Sequence, residues 1–385
     1  MDMKKSMAGS IIQSSSGYSA YVPNRLPPEI EWNDQLVNVL SRADFLLGQL
    51  AREGGRLPNP HLLIRPFITR EAVLSSKIEG TQATIGEVLA HDAGIETSRN
   101  LHDLQEVQNY IAALGFGVER LKEFPMSLRL IKDIHNKLMQ GVRGSHATPG
   151  EFRKTQNWIG PPGSTLMTAT YVPPPVNFLM DCLGDFESFL HDRQLPPLIH
   201  IALCHYQFEA IHPFLDGNGR VGRLLISFLL MEHKVLSAPF LYLSAFFEAT
   251  RADYYRELFN VSSQGTWNDW LIYFLNGVAI QSEDVLSRAE RINDLVMNWK
   301  LQIADSASQI SIKIVGRFAV NPFLTISKIA QELGVAYNTV KRGVDKLEAK
   351  GIIQQVSGDA RNKVYCATEI LAILEEPAKV SAGQA

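Results

Sequence analysis

Residues 211–223, IHPFLDGNGRVGR, gather a histidine, an aspartate, two glycines around an asparagine and two arginines, after which the chain turns apolar with LLISFLL (224–230). The segment before this stretch sets Leu198, Ile201, Ala202, His205 and Phe208 on one helical face, and the segment after it is apolar all round. That pattern predicts two buried helices joined by a polar loop. At such a junction Gly217 and Gly219 reach positive φ and bare backbone N–H groups at a helix N-terminus, where the dipole also favours anions. Phosphate is the natural guest. Arg220 and Arg223, three apart, share a helix face and add charge-assisted hydrogen bonds, at an end of the helix that cations avoid unless an anion joins them. Asp216 offers a hard oxygen ligand for Mg²⁺ shared with phosphates, and His212 a base for work near neutral pH. A plainer reading has a core histidine, an Asx-type turn at Asp216 or Asn218, and arginines paired to acids elsewhere. It suffices for any one of these residues but is outweighed by the set.

The 385 residues exceed one ordinary hydrophobic core, so two or three domains are expected. A net charge of −3, with 45% hydrophobic and 20% charged residues, argues against a chain-wide nucleic-acid or membrane surface, so any basic patch is local. Cys182, Cys204 and Cys366 lie far apart without metal-type pairing, which fits a reducing compartment. The start carries no apolar core of signal length, and no run reaches the roughly 18 residues of a membrane span. The expectation is a cytoplasmic protein with no membrane contact.

Along the chain, residues 1–24 are Ser- and Gly-rich and read as a flexible tail. Residues 25–95 read as an N-terminal helical region and 96–300 as a helical catalytic core. Within the core, TQNWIG and MTATYVP flank a Pro/Gly/Ser turn and predict a β-hairpin flap over 155–174. Residues 307–375 predict two helices joined by GVA and followed by two strands, a winged helix-turn-helix, with a tail over 376–385. Between 337 and 363, six basic residues (Lys341, Arg342, Lys346, Lys350, Arg361, Lys363) face three acids (Asp345, Glu348, Asp359). That excess suits phosphate contacts to DNA, and an interaction or dimerisation module stands beside it as the alternative.

The stretch 212–223 resembles the signature of the Fic-domain family, H-x-F-x-[D/E]-G-N-G-R-x-x-R, at every specified position. GEFR (150–153), the hairpin and the pair Tyr254–Tyr255 extend the resemblance over roughly residues 60–280. It implies a mainly α-helical Fic core with a β-hairpin flap, an N-terminal helical extension and a small winged-helix domain. It also implies transfer of AMP from ATP to a Ser, Thr or Tyr hydroxyl of a target protein, or of the chain itself. By that resemblance His212 is the general base, Asp216 binds Mg²⁺, and Gly217, Asn218, Gly219, Arg220 and Arg223 hold the phosphates. Tyr254 and Tyr255 are either adenine neighbours or core aromatics. The flap is where such proteins align a target segment through main-chain hydrogen bonds, or else a structural cover.

SSKIEGTQAT (75–84) resembles the inhibitory motif [S/T]-x-x-x-E-[G/N] of the same family, filled by Ser75, Glu79 and Gly80. The resemblance implies that Glu79 pairs with Arg223 and keeps ATP in a non-productive pose. Two other readings stay open: removal of AMP from a modified target with Glu79 orienting water, and a nucleotide-sensing DNA-binding regulator that transfers nothing. The oligomeric state is also open, a homodimer included.

Overall fold

A computed structural model describes residues 8–14, 16–56, 61–95, 101–142, 148–304, 309–357 and 363–381. The described chain opens with a hairpin of β1 (Gly9–Gln13) and β2 (Ser19–Pro23), paired antiparallel with Gly9 opposite Pro23. Eleven helices follow: α1 (Asp34–Arg56), α2 (His61–Ile78), α3 (Ile85–Asp92), α4 (Leu101–Arg120), α5 (Leu128–Leu138), α6 (Val176–Leu190), α7 (Pro197–Ile211), α8 (Asn218–Glu232), α9 (Ser244–Ala249), α10 (Arg251–Gln264) and α11 (Trp267–Ile303). The C-terminal module is α12 (Gln309–Val320), β3 (Phe323–Thr325), α13 (Ile326–Leu333), α14 (Tyr337–Ala349), β4 (Gln354–Gln355), β5 (Val364–Cys366) and α15 (Thr368–Glu375).

The core is built around α7 and α8. Every residue of α7 from Leu198 to Ile211 is buried except Glu209, and α8 is buried from Arg220 to Leu230. Helices apolar on all sides belong at the centre of a bundle, and the others pack round them. Helices α4 and α5 lie against α8, and α6, α10 and α11 against α7. The Trp270 indole N–H of α11 donates to the Ala202 carbonyl of α7 at 3.0 Å.

Residues 8–23 are not the flexible tail that their composition suggests. Tyr21 is fully buried, its N–H donates to Val172 O at 2.9 Å, and its hydroxyl lies 3.3 Å from that of Tyr206. One large aromatic with a partner for its hydroxyl anchors the hairpin despite the Ser and Gly around it. The flap is also less regular than expected. One antiparallel bridge joins Ile159 and Tyr171 through hydrogen bonds of 2.8 and 3.0 Å. Pro161, Pro162 and Pro173 to Pro175 supply no N–H to extend it.

The C-terminal module is a winged helix with one strand more than expected: β3 joins β5 and β4 in the order β3-β5-β4. The wing tip, with Asp359 and Arg361, lies outside the described residues. Of the expected tail over 376–385, the described residues Glu376 and Pro377 are held in place. Arg288 donates to the carbonyls of Glu376 (3.2 Å) and Pro377 (2.9 Å), and Arg291 holds the Glu376 carboxylate with both terminal nitrogens. The module is thus held to α11, and it also meets the N-terminal helices. Buried Arg70 of α2 pairs with Asp284 of α11 at 3.7 Å and donates to the Glu376 carbonyl at 3.5 Å, and the Glu375 carboxylate accepts from Gly86 N of α3 at 3.0 Å.

Replacing a buried aromatic by alanine removes its burial and leaves a cavity, so Tyr21→Ala should lower the unfolding free energy by about 3 kcal/mol. A fall in the urea midpoint checks this; an unchanged midpoint would show that the hairpin adds nothing.

Candidate active site

Helix α7 ends because His212 turns left-handed, at φ 48°, while its N–H still closes on Phe208 O at 3.0 Å. This backbone conformation is uncommon outside glycine and marks an over-determined position. Three side chains from the flap and the residues just before it supply the determination. Arg153 donates to His212 O (3.0 Å) and Pro174 O (2.6 Å), Asn157 donates to Phe214 O (2.8 Å), and the Tyr171 hydroxyl donates to Ala210 O (2.7 Å). Beneath the loop, His135 accepts the Gly150 N–H at Nδ1 (2.8 Å). Its Nε2–H is thereby assigned as donor to Asp216 O (3.0 Å), while the ring stacks on Phe214 at 3.7 Å. Asn157 and His135 escaped the sequence reading because each acts on backbone far away in the chain.

The His212 Nδ1 lies 3.3 Å from Glu209 O, which assigns the proton to Nδ1 and leaves the Nε2 lone pair free for a base. Burial pushes the imidazole down to about 4. It is therefore neutral at pH 7 by a wide margin, rather than titrating near neutrality.

The phosphate-type features divide. Gly217 caps α8 at φ 78°, as expected, but Gly219 is helical. The room at Gly219 is taken by the ion pair: a Cβ there would meet Glu79 Oε1 and stand 2.9 Å from Arg223 Nη1, so one would displace those side-chain ends from their present pose. The Asn218 side chain exchanges two 2.8 Å bonds with the backbone of Phe214, which stiffens the loop and leaves only its N–H for a ligand. The first N–H groups of α8 have no carbonyl a turn earlier to accept them. Arg220 departs from the expected shared face. It is buried beside Glu106 (3.4 Å) and Asp216 (3.6 Å), whereas Arg223 reaches the cavity. Asp216 is 47% exposed and accepts the Gly217 N–H at 2.6 Å. Among the described residues no three His, Cys, Asp or Glu side chains gather as a metal site, so an ion at Asp216 would take most of its ligands from phosphate or water.

A cavity of about 570 Å³ opens here, its walls including Glu79, His212, Gly219, Arg223, Tyr254 and Tyr255. Tyr254 is core as well as wall, its hydroxyl 2.8 Å from His205 Nε2 and its ring stacked on Phe247 at 4.4 Å. Tyr255 is 43% exposed.

Arg223 is the fixed point of the site. Its Nε donates to Ser75 Oγ (2.8 Å) and its Nη2 to Ser75 O (2.9 Å) and Glu79 Oε1 (2.6 Å). Gly80, at φ 100°, closes the turn after α2 through Lys77 O, and that turn aims Glu79 at the arginine. Burial alone would raise the Glu79 carboxyl, but the charge and hydrogen bond of Arg223 hold it below the usual range.

These residues fall where family models match. Residues 37–119 match the Fic/DOC family N-terminal model, 125–230 the Fic/DOC family model, and 308–354 a winged helix-turn-helix DNA-binding model. The chain carries both Fic/DOC domains, the N-terminal one and the one that holds the 212–223 loop. It is 30% identical over 168 residues to the protein adenylyltransferase Fic of Drosophila grimshawi, covering 40% of this chain and 31% of that one. It is 36% identical over 113 residues to the protein of the same name from Aedes aegypti, covering 28% and 20%. The chain thus spans under a third of the length of these curated relatives. In fold it resembles a Fic family protein from Desulfovibrio desulfuricans (TM-score 0.60, 21% identity, 89% of this chain and 98% of that one). It also resembles Fic-1 (aa134–508) from C. elegans (TM-score 0.52, 21% identity, 66% and 74%). No described helix of this Fic protein is long and apolar enough to cross a membrane.

The His212 enclosure has a measurable signature: NMR of ring-labelled histidine should place its midpoint near 4 rather than at the ordinary 6.5. His135 and His233 are also held to about 4 and His205 to about 3, chiefly by burial. An unfolded chain takes these protons near 6.5, so fold stability present above that pH is lost as pH falls towards 4. A Tm flat from pH 7 to 4 would contradict this.

Proposed function

We propose that this Fic protein transfers AMP from ATP to a Ser, Thr or Tyr hydroxyl of a target protein, or of itself, and that Glu79 restrains it. The supporting observation is a neutral histidine with an unengaged Nε2 lining the same cavity as Arg223, where the first N–H groups of α8 lack acceptors. In this reading Nε2 of His212 takes the proton as the hydroxyl attacks the α-phosphorus, with pyrophosphate leaving. The N–H groups of α8 and the Arg223 guanidinium meet the phosphate oxygens. Asp216 would hold Mg²⁺, which when bound neutralises phosphate charge. A base supplies only about 10²- to 10⁴-fold, so the phosphate cradle matters at least as much as His212.

The brake follows from occupancy. With Glu79 on Arg223, a terminal phosphate finds its guanidinium taken and a carboxylate beside it. A closed-state preference of ~1.4 to 2.8 kcal/mol suppresses activity roughly tenfold to hundredfold. Trp158 and Gly160, exposed on either side of the Ile159–Tyr171 bridge, suit main-chain docking of an extended target segment. A second reading, removal of AMP, is favoured by the other Glu79 oxygen: the carboxylate gives only Oε1 to Arg223 and lies within electrostatic reach of His212, where it could orient water.

Glu79→Gly should raise labelling from ATP carrying its label on the α-phosphate by roughly ten- to a hundredfold, and His212→Ala in that background should abolish it while ATP still binds. Labelling that survives His212→Ala undiminished would remove the base, and an unchanged rate in Glu79→Gly would remove the brake. Incubating modified target with both forms separates the two directions.

We also propose a DNA contact through α14, whose outward face carries Tyr337, Asn338, Lys341 and Arg342. Full-length protein should bind duplex DNA more weakly as salt rises, and Lys341→Ala/Arg342→Ala should flatten that slope. Absence of binding at low salt would leave the module a protein-interaction domain.

A further inference from the structure

The segment that carries Glu79 is held from outside by a part of the chain that the proposed chemistry does not use. Ser75, Glu79 and Gly80 lie between Arg70 of α2 and Gly86 of α3, and both of those residues are tied to the C-terminal module. At the α2 end, Asp284 of α11 is shared. It accepts from Arg288 of α11 at 2.8 Å and pairs with Arg70 at 3.7 Å, and all three side chains are buried. Both arginines reach past that acid to the Glu376 carbonyl, at 3.5 Å from Arg70 and 3.2 Å from Arg288, and Arg288 also takes the Ile373 carbonyl. Two buried cations around one acid leave a positive charge over, and the carbonyls at the end of α15, the negative end of its dipole, meet it.

At the other end, α3 is gripped along its length. The Glu375 carboxylate accepts from Gly86 N in the first turn (3.0 Å), the Asn321 amide donates to Leu89 O (3.4 Å), and Lys328 of α13 donates to Asp92 O at the last residue (2.5 Å). An acid at the start of a helix and a cation at its end are what the dipole favours, and here both charges come from the same module. Contacts that reach solvent are individually weak, so the grip lies in their number. Between these two anchorages, the Glu79 side chain is 33% exposed and bonds Arg223 at 2.6 Å. A shift of the backbone by an ångström would take that contact beyond hydrogen-bond reach.

We infer that the winged-helix module is the outer half of the restraint: its hold on Arg70 and on α3 keeps Glu79 in reach of Arg223, and loosening that hold raises activity without any contact to the nucleotide. The ion pair is the restraint, and the module keeps its carboxylate in place. This rests on the proposed transfer and on the Glu79 brake.

The test uses the full chain in two variants, each made with Glu79 present and with Glu79→Gly. Glu375→Ala/Glu376→Ala removes two carboxylates that reach solvent, and Arg288→Ala removes the buried cation. Labelling from ATP carrying its label on the α-phosphate should rise about threefold or more in both variants while Glu79 is present, and stay below the gain from Glu79→Gly itself. In the Glu79→Gly background the same substitutions should change the rate by less than about twofold, because a brake already released cannot be released again. Hydrogen exchange should accelerate over 71–92 and stay slow over α7 and α8. If Arg288→Ala does not fold, the carboxylate pair decides. Unchanged labelling in the variants beside a raised rate in Glu79→Gly overturns the inference and leaves transfer and brake standing. An equal gain in both backgrounds also overturns it, since the effect then bypasses Glu79. A Glu79→Gly protein no faster than its parent removes the brake and this inference with it. If no form labels anything, the transfer reading falls and exchange decides this one: faster exchange over 71–92 in the variants supports the hold, and unchanged exchange overturns it.

Discussion

The site depends on one enclosed guanidinium. Arg223 is 2% exposed, and a charge so placed is tolerable only if its hydrogen-bond donors are met. Among the described residues its hydrogen bonds go to one short segment, Ser75 and Glu79 at the end of α2. Two parts of the chain almost 150 residues apart in sequence are thus fastened at the spot where α8 offers its unpaired N–H groups. The ion pair and the two bonds to Ser75 thus hold α2 against α8 in this state. Each neighbouring glycine follows from that constraint. Gly80 bends the chain so that Glu79 reaches the arginine, and Gly219 leaves room for the Glu79 carboxylate.

The helical core was legible because α7 and α8 announce themselves: a segment apolar on every side has nowhere to go but the centre. The loop between them was legible because its residue types serve few purposes together. What composition obscured was the N-terminal hairpin, where serines and glycines outnumber the one tyrosine that decides its place. Proline-rich flanks had the opposite effect on the flap, since short β-prone runs suggest a ladder that the missing N–H groups do not allow.

Within the site, periodicity put Arg220 and Arg223 on one face, yet their side chains part. Three residues are about 300° of helix, 60° short of a full turn, and long side chains widen the gap. Arg220 goes to Glu106 on α4 and Arg223 to Glu79. Neither acid is near its arginine in sequence, so only the packing of α4 and α2 on α8 reveals the division. The same holds for His135 and Asn157, which reach the 212–218 loop through its carbonyls and leave no local motif.

Magnitudes favour one way for Glu79 to leave Arg223. The turn that carries it is fixed on both sides: α2 through the Arg70–Asp284 pair, α3 through Gly86 and Glu375, and the turn itself through Thr81, whose hydroxyl donates to Glu106 at 2.9 Å. Glu106 also holds Arg220, so shifting the backbone would disturb both arginines at once. The buried attachments among these, Arg70–Asp284 and Thr81–Glu106, cost more to break than a side-chain rotation, which runs to about 1 kcal/mol even for an off-rotamer pose. The Glu79 side chain is 33% exposed, at the cavity, so its carboxylate can swing into water while the backbone stays in place. In the proposed function, a nucleotide whose terminal phosphate competes for Arg223 would work on that swing directly. The restraint then scales with one ion pair rather than with the stability of the domain.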